Sequence, residues 1–226
     1  MKKIFVTGTG TDVGKTYVTA LIIKKLNQEN LNPAYFKAAM SGNERDSSGK
    51  LIPGDATHVK KISGIRQPLE EMCPYVYENA LSPHLASRLE GNPVKLNVVK
   101  ENFEKIAGKY DFITIEGSGG IVCPLNFDGE EIYLSDVIKL LECDCILVAD
   151  AGLGTINNVV LTAEYMKSRN LKIRGMIFNN YIPGNVMHED NIKMCQHLTK
   201  IPVLAKVQKN SHELEIDISQ LTAIYS

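Results

Sequence analysis

A glycine- and threonine-rich loop, set between an apolar strand and an amphipathic helix, most constrains the fold of this chain. Residues 6–23 read VTGTGTDVGKTYVTALII, and the apolar run at 3–6 predicts a strand before the loop. After the loop, apolar residues recur at the spacing of a buried helix face: Val18, Leu21, Ile22 and Leu26. A turn of this kind aims several backbone N–H groups at one point, where the helix dipole favours an anion. The loop therefore predicts a phosphate site at the carboxyl end of a strand.

The spacing within the loop departs from the commonest phosphate-binding pattern, which is Gly, four residues and then Gly-Lys-Ser/Thr. Gly14-Lys15-Thr16 supplies the end of that pattern, but its first position holds Thr9, with a glycine on either side. A glycine-rich turn followed by a lysine also occurs without any ligand. Because this loop lies between a strand and a helix, we expect Lys15 to reach the β- and γ-phosphates of a nucleotide and the Thr16 hydroxyl to ligate magnesium.

Strand signals alternate with helical patterns along the chain. The strand signals lie at residues 3–6, 34–37, 112–116, 145–149, 176–178 and 203–205. A second helical pattern runs through Val159, Ala163 and Met166. Such alternation is typical of a parallel sheet covered by helices on both faces. Since no repeat or linker interrupts it, we expect one α/β domain over residues 1–226, with a mobile polar loop at 42–54.

Composition excludes several classes of function. Of 226 residues, 44% are hydrophobic, which is enough for one sizeable α/β core. The net charge of −1 leaves no basic stripe, so we expect no nucleic-acid partner. No apolar run approaches the roughly 18 residues of a membrane-spanning helix, and the N-terminus lacks a signal-peptide core, so we expect no membrane partner and a cytoplasmic location. The five cysteines lack metal-ligand spacing and are expected to be buried, reduced thiols.

Charged residues end two other predicted strands, where the ligands of parallel sheets gather. Lys37 ends the second predicted strand and is either a solvated side chain or a cation within a site. Glu116 ends the third, before a run of glycines, and either caps a helix or holds magnesium directly or through water. Asp55 either caps a following helix or presents a carboxylate to the same metal, and its spacing favours neither interpretation.

A second glycine-rich turn leads from the fourth predicted strand into a helix. The sequence there is CILVADAGLGTINN, with Thr155 or Asn157 near the helix start. Like the first loop, this turn can bind an anion, and it suits a carboxylate. Many loops of parallel sheets look similar, so the turn gains weight only in combination with the other strand ends.

Together these motifs resemble the dethiobiotin synthetase family over nearly the whole chain. That family opens with Gly-Thr-x-Thr-x-Val-Gly-Lys-Thr, which residues 8–16 match, so the shifted glycine is a family trait. The other matching motifs are Lys37 with Ser41-Gly42, Asp55-Ala56, Ser82-Pro83-His84, Glu116-Gly117-Ser118-Gly119-Gly120, Gly154 to Asn157, and Leu-Thr-Ala at 161–163. The resemblance implies a P-loop NTPase-like fold with a mostly parallel central sheet and helices on both faces.

The resemblance also implies an ATP-dependent enzyme that makes dethiobiotin from 7,8-diaminononanoate and carbon dioxide, through a carbamate and a carbamic–phosphoric anhydride. It implies catalytic roles for Lys37 and Lys15, and Mg²⁺ held by Thr16, Asp55 and Glu116. The implied nucleotide-binding residues are Asp12, Val13, Gly14, Lys15, Thr16, Tyr17, Asp55, Glu116, Gly117, Ser118, Gly119, Asn179 and Asn180. The implied substrate-binding residues are Thr11, Ser41, Ser82, Gly154, Thr155 and Asn157. In this family the turn at 154–157 comes from the neighbouring subunit of a homodimer.

Three positions depart from the pattern of the family. Ala38 replaces a proline after the strand-ending lysine. Asn179-Asn180 stands where the family has a base-reading Asn-Asp pair, and VQKN at 207–210 stands where it often has Ile-Pro-Trp-Leu beside the base. A site that leaves the polar edge of a base unpaired discriminates weakly. We therefore expect a relaxed nucleotide preference with intact triphosphate machinery.

Two other classes of protein share parts of the first motif. Amide-forming synthetases of the cobyric or cobyrinic acid type begin with a similar loop, but they carry a glutamine amidotransferase domain for which 226 residues leave no room. Switch ATPases of the partitioning type carry an additional lysine in the loop, where this chain has Gly10. The Ser-Pro-His motif at 82–84 also favours the dethiobiotin synthetase interpretation.

Overall fold

Strands and helices alternate along most of the chain. A computed structural model describes all residues, 1–226. The strands are β1 (Lys2–Gly8), β2 (Pro33–Lys37), β3 (Ala39–Met40), β4 (Tyr75–Val76), β5 (Phe112–Glu116), β6 (Pro124–Asn126), β7 (Ile132–Tyr133), β8 (Cys145–Asp150), β9 (Ile173–Tyr181) and β10 (Val203–Gln208). The helices are α1 (Lys15–Gln28), α2 (Gly54–Ser63), α3 (Pro83–Leu89), α4 (Leu96–Ala107), α5 (Leu134–Leu140), α6 (Thr155–Ser168), α7 (Val186–Thr199) and α8 (Ile218–Ala223), with a 3₁₀ turn at Leu69–Glu71.

The main sheet has six strands in the order β10-β9-β8-β1-β5-β2, and every pairing in it is parallel. This arrangement confirms the predicted α/β class, and all six predicted strands are present. The strand predicted at 176–178 is longer than expected and spans Ile173–Tyr181. Two small sheets, β3 with β4 and β6 with β7, were not predicted, because strands of two or three residues carry no periodic signal.

Apolar side chains alternate between the two faces of the sheet, so each face packs against its own helices. On β2, Phe36 packs edge-to-face on Phe103 of α4, with ring centroids 5.5 Å apart. The neighbouring Tyr35 turns to the opposite face and packs in a cluster with residues of α1 and α2, such as Ile23 and Val59. The apolar stripe predicted for α1 is fully buried. Burial on both faces explains why the strands read as nearly continuous apolar runs.

The order of the strands sets the location of the site. β1 lies between β5 and β8, and the chain leaves it in one direction for β2 and later returns on the other side for β8. A parallel sheet binds ligands outside the carboxyl ends of its strands, next to such a switch point. The loops after β1, β2 and β5 therefore meet above the same edge of the sheet.

Three smaller expectations concern loops, cysteines and membrane spans. Residues 42–53 contain no regular element, only an isolated antiparallel bridge between Arg45 and Leu51. All five cysteines are unpaired; four are buried, and Cys123 is half-buried. No helix has the length and apolar character needed to cross a membrane.

Candidate active site

The loop after β1 turns sharply at Gly14, immediately before α1. Gly14 has φ +89°, a conformation that side chains disfavour, and it occupies the N-cap position of α1. A Cβ atom at Gly14 would also meet the side-chain amide of Asn179 on β9. The backbone angle therefore favours glycine at this position, and a larger residue would also have to displace the Asn179 side chain. Asp12 also adopts a left-handed conformation, with φ +60°.

Lys15 folds back across the loop that precedes it. Its Nζ donates a 2.7 Å hydrogen bond to the carbonyl oxygen of Gly10, and the residue is buried. Burial, reinforced by the nearby positive charge of Lys37, lowers the pKa of Lys15 to about 8, against the opposing effect of Glu116 and Asp55. A lysine that spans the loop in this way places its ammonium group beside the backbone N–H groups of the loop, and both kinds of group bind phosphate oxygens.

A buried charge cluster lies beside the loop, at the ends of β2 and β5. The parallel register pairs Lys37 directly with Glu116. Nζ of Lys37 lies 2.8 Å from Oε1 of Glu116 and 2.6 Å from Oδ2 of Asp55 in the first turn of α2. The side chain of Glu116 is fully enclosed, whereas that of Asp55 is 36% exposed. The cluster therefore extends from the protein interior at Glu116 to the solvent at Asp55.

Electrostatic pairing fixes the charges of this cluster. Burial alone would lower the pKa of Lys37, but the carboxylates of Glu116 and Asp55 outweigh it, and the pKa of Lys37 is raised above its usual value. Burial would raise the pKa of Asp55, but the charge and hydrogen bond of Lys37 outweigh it, so that this pKa is lowered. Lys37 is therefore positively charged at neutral pH and has a counter-ion on each side.

Neither carboxylate caps a helix. The N-cap of α2 is Pro53, and Asp55 turns away from the helix end towards Lys37. Oε1 of Glu116 accepts a 2.7 Å hydrogen bond from the hydroxyl of Thr16 as well as the bond from Lys37. The capping alternatives for both carboxylates are therefore wrong. The structure brings Thr16, Asp55 and Glu116 together, as the family resemblance implies.

These groups line one large cavity at the carboxyl edge of the sheet, with a volume of about 1130 Å³. Thirteen of the predicted site residues line it: Thr11, Asp12, Gly14, Lys15, Thr16, Tyr17, Lys37, Ser41, Asp55, Ser82, Glu116, Ser118 and Gly119. Ser41 donates a 2.6 Å hydrogen bond to the carbonyl of Leu81, which ties the loop after β3 to the loop before α3. The hydroxyl of Ser82 lies 3.1 Å from Nδ1 of His84.

The predicted base-reading residues lie outside this cavity, with Val13 and Gly117. Nδ2 of Asn179 donates to the carbonyl of Val13 at 3.2 Å, while its buried Oδ1 has no hydrogen-bond partner. Asn180 adopts φ +55°, and its Nδ2 donates to Oδ2 of Asp150 at 2.6 Å. The side chain of Asn180 is thus tied to Asp150 before the turn after β8, whereas the side-chain oxygen of Asn179 has no hydrogen-bond partner.

The turn after β8 forms a second, separate feature. Oδ1 of Asp150 accepts a 2.7 Å hydrogen bond from the N–H of Gly152, and Gly154, with φ +87°, is the N-cap of α6. The hydroxyl of Thr155 is buried without a hydrogen-bond partner. Gly154 and Asn157 line a smaller cavity of about 520 Å³, together with apolar residues of α6 and α7. The structure therefore does not join this turn to the main cavity of the same chain.

The sequence interpretation missed several residues beside the cluster. His58 lies one turn after Asp55 on α2 and lines the main cavity, as does Cys123. Burial raises the pKa of the Cys123 thiol to about 11, against the opposing charges of Lys15 and Lys37. Tyr35 lies behind the cluster and donates to Glu116 at 3.0 Å. Two of these residues could have been found by spacing. His58 lies three residues after Asp55, on the same side of a helix, and Tyr35 lies two residues before Lys37, on the same side of a strand.

The donor set of the cluster fits magnesium. Three hard oxygen donors converge there, from two carboxylates and the hydroxyl of Thr16. The structure contains no cluster of three or more His, Cys, Asp or Glu side chains suited to a metal ion. Mg²⁺ commonly takes one or two carboxylates and completes its shell with water and substrate phosphates. The small number of protein oxygen donors here matches this coordination preference of Mg²⁺.

Sequence comparison places the chain in a family. A family model described as an AAA domain matches residues 2–214. The ATP-dependent dethiobiotin synthetase BioD of Clostridium botulinum is 46% identical over 222 residues, covering 98% of this chain and 97% of that protein. The chain belongs to the ATP-dependent dethiobiotin synthetase family. The protein of the same name from Brachyspira hyodysenteriae is also 46% identical, over 91% of both chains.

Solved structures support the same fold for this dethiobiotin synthetase family member. The MinC:MinD cell division complex of Aquifex aeolicus aligns with a TM-score of 0.58, covering 93% of this chain and 82% of that one at 15% identity. A ParA family ATPase from Chlorobium tepidum aligns with a TM-score of 0.57, covering 99% and 90% at 12% identity. At such identities the likeness establishes only the fold.

Proposed function

We propose that this chain is a dethiobiotin synthetase, which uses ATP to carboxylate 7,8-diaminononanoate and close its ureido ring. The observation that carries the proposal is the facing arrangement in one cavity of a phosphate loop with Lys15 and a buried, charged Lys37. The family relationship supports it, because the relatives are named for this reaction. The reaction transfers a phosphoryl group, and such sites act mainly by positioning and neutralising charge.

The proposed reaction has three steps. One amine of the substrate adds to carbon dioxide and loses a proton, which gives a carbamate. An oxygen of the carbamate attacks the γ-phosphorus of ATP, and the bond from that phosphorus to the β-phosphate bridging oxygen breaks, which releases ADP. The second amine then attacks the carbonyl carbon and loses a proton, and phosphate leaves as the ring closes. None of these steps needs a nucleophile from the protein.

Two lysines supply the positive charge for these steps. Lys15 reaches across the loop and would cover the transferring phosphoryl group. Lys37 faces it from β2 and would neutralise first the carbamate and later the departing phosphate. Because Lys37 is held by two carboxylates before substrate arrives, its charge is preorganised and needs no rearrangement at the moment of reaction.

Magnesium would be held by Thr16, Asp55 and Glu116, with water and nucleotide phosphates completing its shell. When bound, it would supply positive charge that offsets the negative charge of the nucleotide phosphates. Thr16 and Glu116 already hydrogen-bond each other, and Lys37 holds both carboxylates in place. The protein therefore presents oriented oxygen donors on one side of the cavity.

The substrate would lie between Lys37 and the γ-phosphate. Thr11, Ser41 and Ser82 line the part of the cavity where its diamine end would be oriented, and Ser41 links the two loops involved. The carboxylate at the other end of the substrate needs a separate site several carbons away. The turn at 154–157 lies at the start of α6, where the helix dipole favours such an anion, and the buried Thr155 hydroxyl in this turn is unpartnered.

We propose that this turn serves the site of a second subunit. It does not line the main cavity of its own chain, so the carboxylate site is incomplete without a partner. The surface around the turn is apolar: Leu153 is 92% exposed and Leu161 is 62% exposed. A two-fold interface on this surface would create two composite sites in a homodimer. We further propose that residues 1–226 act as one domain and that the dimer works in the cytoplasm.

The base of the nucleotide would contact the ends of β9 and β10. The buried Oδ1 of Asn179 has no partner within the chain, and Nδ2 of Asn180 already donates to Asp150. A base pocket with one polar contact discriminates weakly between nucleotides. The proposed enzyme therefore accepts more than one nucleoside triphosphate.

The alternative classes gain no support. The likeness to ParA- and MinD-type ATPases concerns the fold alone, and position 10 of the loop, where such switches carry a lysine, is glycine. The relatives with 46% identity carry the name of the dethiobiotin synthetase and not that of an amide-forming synthetase.

One assay tests the proposed function. Purified protein is incubated with MgATP, bicarbonate and 7,8-diaminononanoate, and dethiobiotin is measured by mass spectrometry alongside ADP. We expect ADP release to require both the diamine and bicarbonate, with one ureido product for each ADP. ATP cleavage at a rate that does not depend on the diamine or bicarbonate, and that yields no ureido product, would contradict the proposal.

A further inference from the structure

Tyr35 lies directly behind the charge cluster, with its hydroxyl against Glu116. Tyr35 and Lys37 are two residues apart on β2, so their side chains leave the same face of the sheet. The hydroxyl of Tyr35 donates to Oε2 of Glu116 at 3.0 Å, in a fully buried position. It is the only hydrogen-bond donor to that oxygen in the structure. The other oxygen, Oε1, is shared by Thr16 and Lys37.

We propose that Tyr35 is a positioning residue that fixes the Glu116 carboxylate for the magnesium nucleotide. This inference rests on the metal-binding role proposed for Glu116. With Oε2 anchored by the phenol, the carboxylate cannot rotate about its last torsion without leaving a charged oxygen unpaired in the interior. Oε1 therefore stays directed at the Thr16 hydroxyl and the Lys37 ammonium group. Partners that orient the ligands of a metal commonly contribute 10- to 100-fold to its affinity, in order of magnitude.

The backbone of Tyr35 is itself clamped. β2 is the edge strand of the main sheet, and the buried Gln67 side chain pairs with its free edge. Oε1 of Gln67 accepts from the N–H of Tyr35 at 2.8 Å, and Nε2 donates to its carbonyl at 3.0 Å. Two residues further along the same edge, the N–H of Lys37 donates to the carbonyl of Met72 at 2.8 Å. These bonds hold the strand, and so the phenol, at a fixed depth behind Glu116.

Packing alone does not explain a tyrosine at this position. The ring lies in an apolar cluster with Ala20, Ile23 and Val59, and a phenylalanine ring would have the same apolar neighbours. A buried hydroxyl is unfavourable unless it is hydrogen-bonded, so its presence here has value only through Glu116. The variant Tyr35→Phe removes that hydrogen bond and preserves the ring.

Tyr225→Phe is a matched control. The hydroxyl of Tyr225 is also buried, and it lies 2.7 Å from Oγ1 of Thr114, two residues before Glu116 on β5. Removing it deletes one buried tyrosine hydroxyl and one hydrogen bond near the same strand, but no contact with the cluster. A general loss of stability would therefore appear in both variants, whereas a loss of metal positioning would appear only in Tyr35→Phe.

The test measures metal binding and needs no turnover. Mn²⁺ is titrated into each protein in the presence of saturating ADP, and its binding is followed by electron paramagnetic resonance. The affinity of each protein for ADP without metal is measured separately by calorimetry. We expect Tyr35→Phe to weaken Mn²⁺ binding about tenfold or more, with metal-free ADP affinity within about twofold, and Tyr225→Phe to match the wild type. Equal Mn²⁺ affinities in Tyr35→Phe and wild type would overturn the inference and leave the proposed reaction standing. A wild type that binds no Mn²⁺ with ADP would instead overturn the metal role itself.

A second variant covers the case in which Tyr35→Phe does not fold. If the unpaired Glu116 carboxylate causes the failure, then Tyr35→Phe combined with Glu116→Gln should fold, because a neutral amide is far less costly to leave unpaired. A double variant that stays unfolded while Glu116→Gln alone folds would show that the phenol supports something other than Glu116. If all variants fold, we expect Tyr35→Phe to change Mn²⁺ affinity little in the Glu116→Gln background, because both act through one carboxylate.

Discussion

Replacing Lys37 by glutamine should lower turnover far more than ATP affinity. Glutamine keeps some hydrogen-bonding reach towards Glu116 and Asp55 but removes the charge that faces the cavity. A unit charge about 4 Å from a phosphoryl oxygen contributes about 4 kcal/mol at an effective dielectric constant near 20. Loss of one preorganised donor in comparable sites lowers turnover by about 10²- to 10³-fold. We therefore expect a loss of about 10²-fold or more in turnover, with ATP binding by calorimetry changed much less.

The same change should destabilise the protein, and this effect must be separated from catalysis. Without Lys37, the enclosed Glu116 faces Asp55 with no cation between them. Breaking a fully buried pair costs about 3–5 kcal/mol, and the partial exposure of Asp55 reduces that figure. Adding Asp55→Asn to Lys37→Gln should recover part of the free energy of unfolding, measured with urea, without recovering turnover.

Lys109→Gln is the control for this experiment. The exposed Lys109 side chain pairs with Glu71, with Nζ 2.6 Å from Oε1, and neither residue lines the main cavity. We expect it to leave turnover and ATP affinity unchanged and stability within about 1 kcal/mol. Equal losses of turnover and ATP affinity in Lys37→Gln would mean that Lys37 merely binds nucleotide, and the reasoning about a preorganised charge would fail.

Four further predictions test other parts of the site. Lys15→Ala should lower turnover by orders of magnitude while circular dichroism shows an intact fold; normal turnover with normal ATP affinity would refute the assignment of the loop. In assays that compare ATP, GTP and CTP as phosphoryl donors, selectivity should be weak, and a preference for ATP above roughly 10³-fold would show that other residues read adenine. Because burial raises the pKa of Cys123 to about 11, its alkylation by iodoacetamide should be slow at pH 8 and accelerate about tenfold per pH unit towards 11; mass spectrometry that finds rapid labelling at pH 8 would contradict that pKa. Mixing inactive Lys37→Gln and Gly154→Glu subunits should restore about a quarter of wild-type activity, since half of the dimers carry one intact composite site; exchanged dimers without activity would place both residues in the site of one chain.

The sequence predicted those parts of the fold that rest on periodicity and on strand-end chemistry. The six strands of the main sheet and the helix after the first loop were predicted because burial on both faces leaves long apolar runs. The convergence of Thr16, Lys37 and Glu116 was predicted because parallel strands end at the same edge. Asp55 could not be decided from spacing, since its position in α2 suits either a cap or the cluster; the distance of 2.6 Å to Lys37 decided it.

Contacts between residues far apart in the chain were not predictable. Tyr35 lies 81 residues from Glu116, and in the sequence it reads as one more aromatic residue of an apolar strand. Gln67 gives no sign that it pairs with the edge of β2, because no motif precedes it. The hydrogen bond from the Asn180 side chain to Asp150 on the neighbouring strand β8 could not be read from the base-recognition motif. Such roles depend on tertiary placement and not on local pattern.

In the proposed reaction, a carbamate oxygen attacks the γ-phosphorus of ATP in the cavity between Lys15 and Lys37. Its most direct test uses bicarbonate labelled with ¹⁸O, at times short enough to limit exchange with water, and mass spectrometry of the released phosphate. If the proposed route operates, the oxygen that joins carbon to phosphorus leaves with phosphate, so each turnover should transfer one labelled oxygen to phosphate. Dethiobiotin formed together with unlabelled phosphate would contradict the account.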